Sequence, residues 1–498
     1  MTPPAILPKR NTLHFLIGTA ALIVAIRIVL LIFAPHQDPS EARYAEISRK
    51  MVETHNWITP QHDYGVPFWA KPPLSMWMSA TGIRMFGANE FGSRIFIFIA
   101  AIAVLALVAK MASREWSRQS GIAAASILMG MPLFFYCSAA VMTDLPLLLG
   151  TTLAMAGFHF CLKNQSKGWG YAFFIGLAIG LLAKGPLALV IALPPVAGWT
   201  LITRNWRKVG TSIPWITGIL LMLALSVPWY VAAEIRTPGF LNYFILGEHW
   251  HRFFDSSWKG DLYGKAHAAS PGMIWVFLIA GSFPWCLGLL TLPLRGWKSS
   301  KAWMMENQAI GLYLLLWFVW PIAFFTPAKN VIATYPLPAL PAAALLIAGL
   351  AHRRQTEAPA MRFDPLHPAF GSIGLALAAV ALTVTLVFPQ KSPKGSERAL
   401  VRCFFTECEP GDRLIYYGHR KYSSEFYSAG TAANTRSADT LEAQLDLPGK
   451  LYAAMTPSAY LRLPYGIQHR FRLLGSFAGT PSLYRESSPD EHLEVSSN

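Results

Sequence analysis

Long apolar blocks separated by short polar ones dominate the chain, and about 20 apolar residues suffice to span a bilayer as a helix. Such blocks lie near 13–34, 92–109, 120–137, 144–162, 170–183, 186–203, 211–232, 272–294, 309–326, 332–350 and 369–388. They predict about eleven transmembrane helices. The fifth block is short and meets the sixth at Lys184-Gly185-Pro186, a sequence that breaks helices. Residues 35–91 form a long loop with an amphipathic stretch from Tyr44 to Val52, in which Ile47 and Met51 stand four apart. That stretch is expected to lie along the membrane interface. From about 390 the pattern turns polar, and the stretches 414–417 and 450–454 read as short strands between turn residues. The expected architecture is a polytopic α-helical membrane protein over 1–388 with a small C-terminal α/β domain over 389–498.

Composition agrees with this pattern. The 498 residues are 53% hydrophobic and 14% charged, whereas soluble domains are nearer a quarter charged. The formal net charge of +15 does not indicate nucleic acid, because no basic face with stacking aromatics forms a soluble module. The basic residues instead mark alternate loops: Lys9 and Arg10; Lys110, Arg114 and Arg118; Lys163 and Lys167; Arg204, Arg207 and Lys208; Arg295, Lys298 and Lys301; Arg353, Arg354 and Arg362. This positive-inside pattern predicts a cytoplasmic N-terminus. An odd number of spans then puts the C-terminal domain outside. The first block is too long for the core of a cleavable signal peptide and reads as a retained anchor. Cys137, Cys161 and Cys286 lie in apolar runs, while Cys403 and Cys408 are either a short-loop disulfide or two free thiols.

The opposite loops hold the candidate chemistry. They carry Asp38, Glu41, Asp63, Lys71, Asp144, Lys184, Glu248, His249, His251, Arg252, Asp255, Lys329 and Tyr335, with Arg43 and Tyr44 beside Glu41. Charge at the mouth of a span is costly to place and usually functional. Glu41 or Asp38 could serve as a base, Arg43 suits bidentate phosphate contact, and Lys71 sits stiffly between Phe68-Trp69 and Pro72-Pro73. Asp144 could orient a sugar or cap its helix. Lys184 and Tyr335 are either ligand contacts or interfacial anchors. His249 and His251 stand two apart, but a zinc site wants three or four ligands, so whether a divalent metal binds stays open. Arg27, inside the first block, must face the bundle or a cavity.

The order of motifs is specific: Asp38-Pro-Ser-Glu-Ala-Arg-Tyr44, Phe68-Trp-Ala-Lys-Pro-Pro73, Phe86-Gly-Ala-Asn-Glu-Phe-Gly-Ser-Arg94, Met142-Thr-Asp-Leu-Pro146, Ala183-Lys-Gly-Pro186, Glu248-His-Trp-His-Arg-Phe253 and Thr334-Tyr-Pro336. Over about residues 10–350 the chain resembles the GT-C membrane glycosyltransferases. It is most similar to the bacterial lipid A aminoarabinose transferases and, more distantly, to the protein O-mannosyltransferases. The resemblance implies a bacterial inner-membrane enzyme that moves a sugar from a polyprenyl-phosphate carrier to an envelope glycolipid, with inversion, on the periplasmic face. It implies Glu41, Asp38 and Asp144 as catalytic candidates. Arg43, Tyr44, Lys71, Lys184, His249, Arg252, Lys329 and Tyr335 are then substrate contacts. Two departures stand out: Ser40 occupies the position where the family commonly has an aspartate, and Ala70 stands where it has a glutamate. A phosphate acceptor, already ionised, would need little help from a base. Transfer to Ser or Thr of secreted proteins is the enzymatic alternative. A lipid or sugar transporter is the other, disfavoured by the lack of a repeated half.

Overall fold

The computed structural model describes residues 10–255, 260–263, 269–289, 297–357, 367–387, 395–477 and 481–487. Lys9, Arg295, Arg362 and the stretches 290–294 and 389–394, on which parts of the sequence reading rest, lie outside the described residues. The chain begins with α1 (Arg10–Phe33) and α2 (Ser40–Glu53), then a short hairpin of β1 (Gln61–Asp63) and β2 (Val66–Pro67), then α3 (Leu74–Phe86) and α4 (Glu90–Glu115). Asn89 caps α4 by accepting from Gly92 N at 2.8 Å, which satisfies one of the orphan donors of the first turn. Seven further helices follow: α5 (Arg118–Met129), α6 (Pro132–Cys137), α7 (Asp144–Asn164), α8 (Lys167–Lys184), α9 (Leu187–Ile202), α10 (Trp206–Ser212) and α11 (Trp215–Arg236). A π-helix, Tyr243–His251, comes next, then helices Met273–Ser282, Trp297–Phe325, Leu340–Glu357 and Pro368–Val387.

Among the described residues, five helices are long and apolar enough to cross a membrane: Thr12–Phe33, Glu90–Glu115, Asp144–Asn164, Trp215–Arg236 and Pro368–Leu386. Their burial sets their place. The most apolar window of α7 is 83% buried, against 33% for α1 and 22% for α11, so α7 runs through the middle and the other two flank the bundle. Small residues let α7 and α8 close on each other. A Cβ on Gly150 would lie 2.6 Å from Gly180 N, and one on Gly176 would lie 2.5 Å from Ala154 N, the kind of contact that substitutes for a hydrophobic drive between helices in lipid.

Two expected blocks are broken. Residues 120–137 form α5 and α6, because Pro132 offers no N–H to extend α5 and instead sits in the first turn of α6. The block from 272 stops at Ser282 and resumes as Cys286–Leu289, with Phe283-Pro284 between. The break at Lys184-Gly185-Pro186 falls where expected: α8 ends at Lys184 and α9 starts at Leu187.

The C-terminal region is α/β. Strands β3 (Arg413–Tyr417), β4 (Ala433–Thr435), β5 (Leu451–Met455), β6 (Phe471–Gly475) and β7 (Ser482–Glu486) form one sheet in the order β4-β3-β5-β7-β6. β3 is parallel to both its neighbours, while β7 runs antiparallel to β5 and β6. Cys403 and Cys408 are free thiols.

The amphipathic stretch of the first loop does not lie open along an interface. It is α2, ten of whose fourteen residues are buried. Its apolar side meets α3 through Ile47, Met51, Met76 and Ile83. A short C-terminal helix, Tyr422–Tyr427, meets it from elsewhere. Burial on more than one side was illegible in a period that marks only one apolar stripe.

Candidate active site

Two linked charge clusters form beside the carboxyl end of α8. In the first, Lys71 and Arg252 converge on one carboxylate. Lys71 Nζ lies 2.5 Å from Glu248 Oε2, and Arg252 Nη1 lies 2.9 and 2.7 Å from the two oxygens of Glu248. Arg252 also pairs with Asp261 at 3.1 Å. Glu248 and Arg252 face each other because both sit at the end of the π-helix, four residues apart. Lys71 is aimed by its neighbours: Trp69 N donates to Tyr263 Oη at 3.0 Å and Trp69 Nε1 to Thr237 Oγ1 at 3.1 Å. The side chain of Glu248 is 1% exposed, but those of Lys71 and Arg252 are each 21% exposed. Burial pushes the Glu248 carboxyl up, yet Lys71 and Arg252 together hold it below the usual carboxylate range.

The second cluster pairs Lys184 Nζ with Asp144 Oδ1 at 2.7 Å. Asp144 opens α7 and Lys184 closes α8, so the break at Gly185 brings a helix start and a helix end together. Gly185 has φ +70°, and a Cβ there would lie 2.6 Å from the Phe244 ring, so the turn admits only glycine. Lys184 Nζ sits 5.3 Å from the centre of the Tyr335 ring, a cation–π distance. His249 joins the clusters, with Nδ1 2.8 Å from Phe244 O and Nε2 3.2 Å from Lys184 O. Burial lowers its pKa. Both ring nitrogens face carbonyls, and among the described residues no three His, Cys, Asp or Glu side chains converge. His249 and His251 therefore lack the donor set of a metal site in this geometry.

Arg43 and Tyr44 approach from α2. The Arg43 guanidinium lies 5.5, 5.7 and 5.9 Å from the rings of Tyr44, Phe68 and Tyr422, and Nη1 donates to Tyr263 O at 2.5 Å. Burial pushes the Tyr44 hydroxyl up, with Arg43 and Lys184 pulling it down. Lys329 is exposed, and its backbone bonds to Phe253 O and Ala269 N.

Glu41 and Asp38, the two carboxylates favoured as bases, occupy other settings. Glu41 Oε1 pairs with Arg94 Nε at 2.8 Å and accepts from Val141 N at 3.3 Å, while Oε2 accepts from Gln37 N at 3.2 Å. Burial pushes its carboxyl up, but Arg94 and His36 outweigh that and hold it far below the usual range. Arg94 spends its other N–H groups on the end of α1, at Ala34 O (2.5 Å), Leu31 O and Leu30 O. Glu41 is thus enclosed in a pin that joins α1, α2 and α4. Asp38 accepts hydrogen bonds from Ser423 N (3.1 Å) and Ser423 Oγ of the C-terminal region. Burial pushes its pKa up to about 6, although the Ser423 bonds pull it down.

A cavity of about 1030 Å³ lies next to these groups. Its polar end is formed by Arg27, Asp38, Ser40, Glu41 and Arg94, and its apolar walls by α1, Met273–Ser282 and Pro368–Val387. The buried hydroxyl of Thr334, next to Tyr335, lines it without a partner. Sequence reasoning gave no role to Glu248, Arg94 or Tyr263. The first could have been found from its spacing to Arg252. Tyr263 carried no local signal.

Comparison with known proteins gives this geometry a lineage. Residues 14–244 match the family described as dolichyl-phosphate-mannose-protein mannosyltransferase. The chain is 31% identical over 320 residues to the undecaprenyl phosphate-alpha-4-amino-4-deoxy-L-arabinose arabinosyl transferase of Erwinia tasmaniensis, covering 62% of this chain and 54% of that one. It is 31% identical over 374 residues to the protein of the same name from Aeromonas hydrophila, covering 73% and 64%. The chain thus spans less than two thirds of the length of the relatives it matches. The crystal structure of ArnT from Cupriavidus metallidurans bound to undecaprenyl phosphate superposes with a TM-score of 0.75 at 17% identity, over 96% of this chain and 98% of that one. Residues 14–244 therefore resemble a domain of the dolichyl-phosphate-mannose-protein mannosyltransferase family, in a membrane chain with an ArnT-like GT-C fold.

Proposed function

We propose that the chain transfers a sugar from a polyprenyl-phosphate carrier to an envelope glycolipid such as lipid A. In this reading about eleven spans cross the inner membrane and the N-terminus is cytoplasmic. The α2 loop, the π-helix and the C-terminal α/β domain are periplasmic. The basic residues of the alternate loops support that orientation.

The observation that carries the reading is the meeting of Lys71 and Arg252 on Glu248, with both cationic heads still partly exposed, beside the Lys184–Asp144 pair. An acceptor oxygen attacks the anomeric carbon from the side opposite the carrier. The bond from that carbon to the carrier phosphate breaks, its electron pair passes to the phosphate oxygen, and the configuration inverts. The phosphate gains charge as it leaves, and Lys71, Arg252 and Arg43 are the cations that meet it. Lys184, fixed by Asp144 against Tyr335, orients the sugar end.

The settings of the carboxylates favour an acceptor that brings its own charge. Ser40 cannot act as a strong base, Glu41 is held ionised by Arg94, Asp38 is engaged by Ser423, and Asp144 is engaged by Lys184. A phosphate group on a glycolipid attacks without losing a proton first. The apolar walls and polar end of the 1030 Å³ cavity suit such an amphiphile. The test is mass spectrometry of lipid A and of secreted proteins from cells with the wild-type chain or Lys71→Ala. The sugar is expected on lipid A only with the wild type, at equal amounts of folded protein. Full modification by Lys71→Ala removes the role of Lys71, and mass shifts on secreted proteins instead point to protein transfer.

A further inference from the structure

We infer that the C-terminal α/β region is a positioning element of the reaction centre, whose helix Tyr422–Tyr427 clamps the chain from His36 to Lys50 and so sets Arg43 from behind. The inference rests on the proposed function, because it takes Arg43 as a contact for the carrier phosphate.

Five of the six residues in that helix touch the α1–α2 segment or its immediate neighbours. The Tyr422 ring lies 5.9 Å from the Arg43 guanidinium and 5.7 Å from the His62 ring. Ser423 grips Asp38 with its backbone N–H and its hydroxyl. Glu425 pairs with Lys50 at 2.6 Å. Phe426 meets the His36 ring edge-on at 4.7 Å. The Tyr427 hydroxyl accepts from His36 N at 2.8 Å and donates to Glu90 at 2.9 Å. Outside the helix, Arg398 adds bonds to Phe33 O at 2.9 Å and to Glu90 at 2.5 Å.

The chemistry of this seam is that of a fixed joint. Lys50 is fully buried and Glu425 nearly so, and their pair is flanked by Glu46 and Asp63 on one side and Arg420 on the other, so a buried charge network crosses the seam. The contacts are also directional. They fall mostly on the loop before α2 and on α2 itself, and among the residues held Asp38 lines the cavity and Arg43 is the proposed phosphate contact. α2 has no side-chain cap at Pro39, so its start depends on what surrounds it, and Asp38 is tied down by the C-terminal region one residue before that cap. The third ring around Arg43 comes from the C-terminal region, whereas the other two come from the first loop. Arg43 therefore has its full aromatic surround only when the two regions are joined.

The test measures undecaprenyl phosphate affinity of the detergent-solubilised full chain, alongside its melting temperature without ligand. Tyr422→Leu is expected to weaken binding about tenfold and Tyr422→Phe to weaken it less, since Phe keeps the ring beside Arg43 and loses only the hydroxyl that also bears on it. Ser423→Ala is expected to weaken binding about threefold, and it keeps the test open if Tyr422→Leu does not fold. Leu461→Ser, on the exposed face of the C-terminal region, is expected to bind as the wild type does. A lower melting temperature with unchanged affinity in the folded Tyr422→Leu and Ser423→Ala chains would overturn the positioning role. If affinity falls in Lys71→Ala but not in these two, the inference fails and the proposed function stands. If Lys71→Ala also binds normally, the proposed function fails.

Discussion

Two buried glutamates show how one residue type is put to opposite uses. Glu41 faces Arg94, whose remaining N–H groups are committed to the carbonyls that end α1, and neither side chain is open. Glu248 faces Lys71 and Arg252, and both of those heads keep about a fifth of their surface free. The first pair is closed on itself and holds three helices together. The second is a carboxylate holding two partly exposed cations, which in the proposed function meet another anion. Burial alone does not separate the two. What separates them is whether the cation has coordination to spare.

The largest expected effect lies on the closed side of this contrast. Arg94→Ala removes the cation beside Glu41 and the donor to the carbonyls at the end of α1, and should cost about 3–5 kcal/mol, seen as loss of folded protein or a steep fall in melting temperature. Lys71→Ala should leave the fold intact and reduce transfer at least a hundredfold, by the scale of losing a preorganised charge at a leaving group. If Arg94→Ala melted normally, or Lys71→Ala failed to fold, the contrast would collapse. Glu248→Gln sharpens it. Removing the resident negative charge should tighten undecaprenyl phosphate by about tenfold, the scale of one surface-linked charge interaction, and slow turnover, measured as lower KM with lower kcat. A weaker binder would mean that Glu248 positions the cations and does not compete for them.

A pH-dependent effect concerns Asp38. Its carboxyl titrates at about 6 in the folded chain against an ordinary 3.8. A carboxyl that holds its proton more tightly when folded stabilises the fold below about pH 4, and that stabilisation is lost as pH rises through 6. The loss is at most about 3 kcal/mol. Between pH 4 and 6 the wild type should therefore lose melting temperature relative to Asp38→Asn. Equal slopes would remove Asp38 from the account of the seam.

Much of this was legible in the chain. Apolar length gave the helices, because in lipid each backbone group must be satisfied within its own segment. The motifs brought Lys71, Lys184, Arg252 and Tyr335 to notice one at a time. Their partners were harder to see. Arg94 lies 53 residues from Glu41, Glu248 lies 177 from Lys71, and Ser423 lies 385 from Asp38, so no local pattern links them. Glu41 became a candidate base through its position beside Ser40. Its enclosure by Arg94 is a tertiary fact, as is the cover that the C-terminal region places over α2. Pro132 and Pro284 marked real breaks that an averaged apolar window smooths over.

The most direct measurement is a cryo-electron microscopy map of the chain with undecaprenyl phosphate bound. The phosphate is expected within hydrogen-bond distance of Lys71 and Arg252, with Glu248 turned away from at least one of them. A phosphate seated instead at the Arg27 and Arg94 end of the 1030 Å³ cavity, with the Lys71–Glu248–Arg252 cluster unchanged, would contradict the assignment of the open pair.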